Sequence, residues 1–138
     1  MFFCVIFPTV AFYIQKNVIF VVYKFIGFIM KVGIIRCQQT EDMCGGNACL
    51  RTVAKGKGAF QEIEQAEIYG FVACGGCPGK KITPRAKKLI EQGAEVIALA
   101  TCISKGTPIG FPCPNFEQIK KSLLNNVENI KLLDWTHN

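Results

Sequence analysis

The chain has 138 residues, 50% of them apolar and 19% charged, with 13 glycines, 8 cysteines and a single histidine. That length suits one domain with a core of its own, and the composition excludes collagen-like, low-complexity and disordered chains. Formal net charge is +6, but no basic run exceeds two residues, so the concentrated basic face of a nucleic-acid reader is missing.

Composition changes abruptly at Met30. Residues 1–29 hold two charges, Lys16 and Lys24, no acid, and many Phe, Ile and Val. A spanning helix needs roughly 20 nearly uninterrupted apolar residues, and Gln15-Lys16-Asn17 ends this run early, with Pro8 and Lys24 breaking it further. A secretory signal needs positive charge ahead of its apolar stretch and small residues at a cleavage site, and neither is present. Three readings remain: a translated leader upstream of a true start at Met30, a membrane-surface or spanning anchor, and an extra core element. The sequence therefore divides into an apolar extension, residues 1–29, and a domain, residues 30–138. With no legible signal peptide the expected setting is reducing and cytoplasmic, which disfavours structural disulfides. A retained extension would instead associate the protein with a membrane.

From Met30 onward, short β-branched runs alternate with helical patterns. Lys31 to Ile35 reads as a buried strand. Ala48 to Lys55 reads as a helix with Asn47 as its N-cap, stopped by Gly56-Lys57-Gly58, and Ala59 to Glu64 as a further helical turn. Glu67 to Ala73 is a second strand. Thr83-Pro84 suggests an N-cap with proline at the first helical position, opening a helix that runs to Gln92 and stops at Gly93. A start near Gly79 would leave Pro84 bending its first turns. Ala94 to Ala100 is a third strand. Asn115 to Asn125 is an amphipathic helix with Phe116, Ile119 and Leu123 on one side and Lys120 and Lys121 on the other. Ile130 to Trp135 is the last strand, with Trp135 as a packing residue at the sheet edge. Such alternation predicts an α/β fold: a small three-layer doubly wound domain with a mainly parallel four-stranded sheet in the order 2-1-3-4.

Seven of the eight cysteines follow Met30. Cys37 follows the first strand, Cys74 and Cys77 the second, Cys102 the third, and His137 the fourth. In a parallel sheet these strand ends share one rim, where open α/β folds bind ligands. Cys44, Cys49 and Cys113 lie in segments within reach of it. An isolated cysteine such as Cys4 or Cys49 reads as a small buried hydrophobe. Cys74-Gly75-Gly76-Cys77 reads differently, because a side-chain-free turn lets two thiolates share a metal or close one disulfide.

Thiolates need a nearby cation or positive potential. Arg36, Lys80, Lys81 and Lys105 each lie within four residues of a strand-end cysteine, where they serve as counter-charges or, more ordinarily, as solvated loop residues. Four ligands drawn from Cys37, Cys74, Cys77, Cys102, Cys113 and His137 suit tetrahedral zinc, and seven cysteines with one histidine are enough for two four-ligand sites. An iron–sulfur cluster is the second possibility, although the ferredoxin cysteine run is absent. The competing class is a thiol–disulfide or sulfur-transfer enzyme with Cys74 attacking and Cys77 resolving, which leaves five cysteines without a role. There is no phosphate loop and no dinucleotide fingerprint.

Four stretches carry a resemblance: Met30 to Cys37 (MKVGIIRC), Cys74 to Lys81 (CGGCPGKK), Ala98 to Cys102 (ALATC) and Gly110 to Pro114 (GFPCP). In this order and spacing the chain resembles the CGGC domain family over about four-fifths of its length. The family's start resembles Met30, which supports the leader reading of residues 1–29. The resemblance implies a zinc-binding role, taken from the family's cysteines and histidines, and implies no particular reaction. Here the imidazole share of that role falls to His137 alone.

Overall fold

Residues 29–63 and 65–138 are described by a computed structural model; apart from Ile29, the readings of the N-terminal extension, Cys4 included, lie outside them. No helix among these residues is long and apolar enough to cross a membrane.

The central strand β1 spans Met30–Arg36, and Val32, Ile34 and Ile35 within it are fully buried. It pairs in parallel with β2 (Ala66–Ala73) on one side and with β3 (Val96–Leu99) on the other, and β3 pairs in parallel with β4 (Lys131–Leu133). The order is β2-β1-β3-β4, as the alternation of apolar runs predicts. All four residues of β3 are buried, as expected of a strand covered on both faces. The described residues also form four helices: α1 (Asn47–Ala54), α2 (Ile82–Glu91), the short α3 (Thr101–Ser104) and α4 (Phe116–Asn126). Two 3-10 turns, Gln38–Thr40 and Gly58–Glu62, fill connections.

The pleat assigns α1 and α2 to opposite faces. Val32 pairs with Ile68 but Gly33 pairs with Gly70, so Tyr69 is an extra residue, a β-bulge, in β2. The bulge sets two glycines side by side, and Leu89 of α2 sits on the bare backbone they leave. A Cβ on Gly33 would stand 2.9 Å from Leu89 Cδ1 and 3.1 Å from Ile97 Cδ1, and one on Gly70 would overlap Leu89 Cδ2. Phe71, the next residue along, points to the other face, where its ring packs against Gly46 ahead of α1. Ile119 and Leu123 of α4 are buried as their spacing predicts, and α4 packs beside α2, with Thr83 Oγ1 and Ser122 Oγ 2.9 Å apart.

Helix starts differ from the sequence expectations. Asn47 is inside α1; the cap position is Gly46 at φ 78°, with no side-chain cap, a left-handed conformation that glycine adopts at little cost. Thr83 is likewise inside α2, which starts at Ile82, because its hydroxyl is taken by Ser122. Pro84 is the third residue of α2, where the missing N–H would have had no intrahelical partner. The last strand stops at Leu133: Asp134 turns out to meet Lys120 Nζ at 2.6 Å, and Trp135 is a half-buried packing residue under the Lys105 ammonium, 4.1 Å from the ring centroid.

Replacing Gly33 with valine should lower stability by about 1–3 kcal/mol through overpacking against Leu89. Gly45→Ala, which meets no atom within 4 Å, should change it little. Urea denaturation of the two variants checks the contrast.

Candidate functional site

β1, β2 and β3 end at one rim, and the main chain leaving them is short of strand partners. Two of its N–H groups turn to sulfur. Cys37 N–H donates to Cys102 Sγ at 3.2 Å, and Gln38 N–H donates to Cys74 Sγ at 3.3 Å. Cys74 Sγ also accepts from Gly76 N–H at 3.4 Å. Hydrogen bonds of this kind favour the charged form of an acceptor. The Cys37–Gln38 segment thus runs between two sulfurs and divides the rim into two clefts.

The first cleft is on the α2 and α4 face. Cys37, Cys74, Cys77 and Cys113 line it with Ile82, Ile103 and Ile119, and its volume is about 20 Å³. Cys37 and Cys74 follow the pair Arg36–Ala73 in register, so the pleat sends both to the same side. Cys74 is buried and Cys77 exposed. Gly75 and Gly76 turn with φ 85° and 95°, and a Cβ on Gly75 would stand 2.8 Å from the Lys81 stem and 3.1 Å from Arg85 Cζ. Arg85, whose Nη1 donates to the Ala73 carbonyl at 2.6 Å, therefore places a guanidinium under the Cys-Gly-Gly-Cys turn. Burial pushes the Cys37 thiol up; the Gln39 N–H opposes this, while Cys74, Cys102 and Cys113 add to it.

The second cleft, also about 20 Å³, opens on the α1 face between Cys44, Cys49, Cys102, His137, Arg36 and Phe71. Arg36 Nη2 donates to the Cys44 carbonyl at 2.7 Å. Behind it Thr101 and Thr136, both fully buried, fasten the chain end to the start of α3. Thr101 Oγ1 accepts from the Thr136 and His137 N–H groups at 3.1 and 3.0 Å and donates to the His137 carbonyl at 2.6 Å. With that proton committed, Thr136 Oγ1 accepts from Thr101 N–H and is free to donate to Cys49 Sγ, 3.2 Å away. Burial pushes the Cys49 thiol up; the Thr136 hydroxyl opposes this, Cys102 and Cys44 add to it, and Arg36 opposes it.

The six sequence-predicted residues thus divide: Cys37, Cys74, Cys77 and Cys113 border the first cleft, Cys102 and His137 the second. All seven described cysteines are free thiols. Among the described residues no three Cys, His, Asp or Glu side chains already stand around one ion position. Each cleft has room for a water-sized body, for which about 10–15 Å³ suffices, and not for an organic ligand, which needs about 300–1,000 Å³. A larger hollow of about 360 Å³, between Ile29, Val53 and Glu67, lies at the opposite end of the sheet.

The CGGC domain model matches residues 31–137. The chain belongs to the CGGC domain family. The uncharacterized protein MJ0582 of Methanocaldococcus jannaschii is similar to it, with 37% identity over 116 residues, covering 78% of this chain and 87% of the relative. No solved structure matches. In this CGGC domain the central motif is the turn held over Arg85, a residue that sequence reasoning misses because it lies eight positions beyond Cys77 on a helix. Of the basic residues singled out from sequence, Arg36 stands at a cleft, while Lys105 is occupied by Trp135 and Asn138 Oδ1, the latter at 2.6 Å. Thr101 and Thr136 carry no signal in sequence at all.

Thr136→Val removes the donor to Cys49 and leaves the buried Thr101 N–H unpartnered, so it should cost about 1–3 kcal/mol and make Cys49 harder to alkylate; urea melts and alkylation against pH measure both. The raised thiols fix the sign of a second dependence. The folded, metal-free protein keeps Cys37 and Cys49 protonated where the unfolded chain has released those protons. Stability should therefore fall as pH rises above the ordinary thiol range, about 8.5, toward the higher folded values. Reducing urea titrations at increasing pH should show this fall, and Cys49→Ala should reduce it.

Proposed function

We propose that this protein binds a soft divalent metal ion, zinc before iron, in the first cleft through Cys37, Cys74, Cys77 and Cys113. The observation that carries the reading is a cleft of about 20 Å³ with four thiols on its wall: it suits a single ion, whereas a polynuclear iron–sulfur cluster would have to force it open. The donor set matches the ion, because thiolates select zinc over hard cations and four of them complete a tetrahedron. Cys74 and Cys77 span the glycine turn, Cys37 comes from the end of β1, and Cys113 from the loop ahead of α4. Closing on the ion takes rotation of the cysteine side chains, a change between staggered rotamers. Four thiolates around a divalent ion carry net negative charge, which the Arg85 guanidinium under the turn offsets in part.

The bound ion would tie four separate segments together at the rim, a structural contribution that zinc sites commonly make. Full-length protein purified without oxygen should hold stoichiometric zinc. Cys74→Ser and Cys77→Ser should each lose the equivalent held in this cleft, and affinity should fall on acidification as protons compete for sulfur. Zinc retained at full stoichiometry in both variants would defeat the reading.

One observation favours a second reading. In Cys74-Gly75-Gly76-Cys77 a buried thiol accepting two N–H bonds stands beside an exposed one, as a dithiol oxidoreductase requires. There the exposed Cys77 meets the substrate and Cys74 resolves, the reverse of the order expected from sequence. The two thiols give two electrons and two protons to a substrate disulfide, which leaves as two thiols. Metal-free protein with a reversible Cys74–Cys77 disulfide would support this reading over zinc.

A further inference from the structure

The tripeptide Cys-Gly-Gly occurs twice, at Cys44-Gly45-Gly46 and at Cys74-Gly75-Gly76, and the two copies agree at the second glycine, although Gly75 has positive φ and Gly45 does not. In each, the cysteine sulfur accepts the N–H of the second glycine, at 3.3 Å in the first copy and 3.4 Å in the second. In each, that glycine has positive φ, 78° for Gly46 and 95° for Gly76. One copy serves the first cleft and the other serves the second, on opposite faces of the sheet.

We propose that the second cleft is a separate metal site, in which Cys44, Cys49 and Cys102 supply three thiolates and His137 supplies an imidazole nitrogen. The inference rests on the zinc reading of the first cleft for the choice of metal, and on its own geometry for the site. His137 Nδ1 is 3.2 Å from the Asn138 main-chain oxygen. An oxygen of that kind only accepts, so Nδ1 carries the proton and Nε2 keeps the lone pair that a metal needs. A ligating histidine ordinarily has its other nitrogen held by such an acceptor. Cys102 Sγ receives the Cys37 N–H, Cys44 Sγ that of Gly46, and Cys49 Sγ the Thr136 hydroxyl, so each of the three sulfurs is held by one donor and keeps lone pairs for a metal. Three thiolates, an imidazole and a divalent ion leave one negative charge. Arg36, on the wall of the cleft, carries the matching positive charge.

Anaerobic titration of the reduced full-length chain with cobalt(II) as the zinc probe tests this, since sulfur-to-cobalt absorption increases with the number of thiolates bound. Expected are two equivalents in the wild type, one in Cys77→Ser and one in Cys44→Ala. The ion that survives in Cys77→Ser should have weaker sulfur absorption than the one in Cys44→Ala, and His137→Gln should weaken that second ion selectively. Circular dichroism confirms folding of each variant, and His137→Gln, which is outside the core, keeps the test open if a cysteine variant fails to fold. A single equivalent that Cys77→Ser abolishes and that Cys44→Ala and His137→Gln leave intact would overturn the second site and leave the first standing. A single equivalent with the opposite pattern would support the second site and remove the first. No cobalt bound in the wild type would overturn both.

Discussion

Tyr69 determines which way the thiols face. Because β2 carries it as an extra residue against β1, Gly33 lies beside Gly70, Ile35 beside Val72, and Cys37 falls level with Cys74. Were Tyr69 paired regularly with Gly33 instead of bulged, Cys37 would lie beside Ala73 and Cys74 would turn to the opposite face, since side chains alternate along a strand. The same irregularity brings together the two glycines on which Leu89 rests. A single bulge thus fixes both the seat of α2 and the pairing of two thiols at the far end of the strand.

Beyond the sheet, the problem is how main-chain N–H groups are satisfied where no strand remains. Sulfur is a weak acceptor when neutral and a good one when charged. Charge on a rim sulfur would therefore strengthen the hydrogen bonds it already accepts, while burial opposes that charge at Cys37 and Cys49, whose thiols it pushes up. A cation bound to these sulfurs would resolve the conflict, because it supplies the charge compensation that solvent does not reach. Arg36 and Arg85 supply part of it already, one on each face and each anchored to a main-chain carbonyl.

Strand order and helix positions were legible because apolar runs of four to eight residues alternate with helical spacing, and each of the first three parallel strands then delivers its trailing cysteine to one rim. The division of that rim was not legible. It depends on the bulge at Tyr69, which looks like any other residue of an alternating strand, and on which face α1 covers. The repeated Cys-Gly-Gly was visible in the sequence and was obscured by the longer Cys74–Cys77 motif. Helix starts were misjudged where tertiary contacts took the capping groups: Thr83 bonds Ser122 across α2 and α4, and Gly46 accommodates the Phe71 ring.

The tail that follows β4 holds the chain's single tryptophan. Trp135 stacks beneath the Lys105 ammonium, from the loop after α3, and lies two residues before His137. Indole emission responds to a cation over the ring and to solvent at its edge. The protein therefore carries a native fluorophore at the junction between its C-terminal segment and the Cys102 helix, where any rearrangement of that junction would be visible without a label.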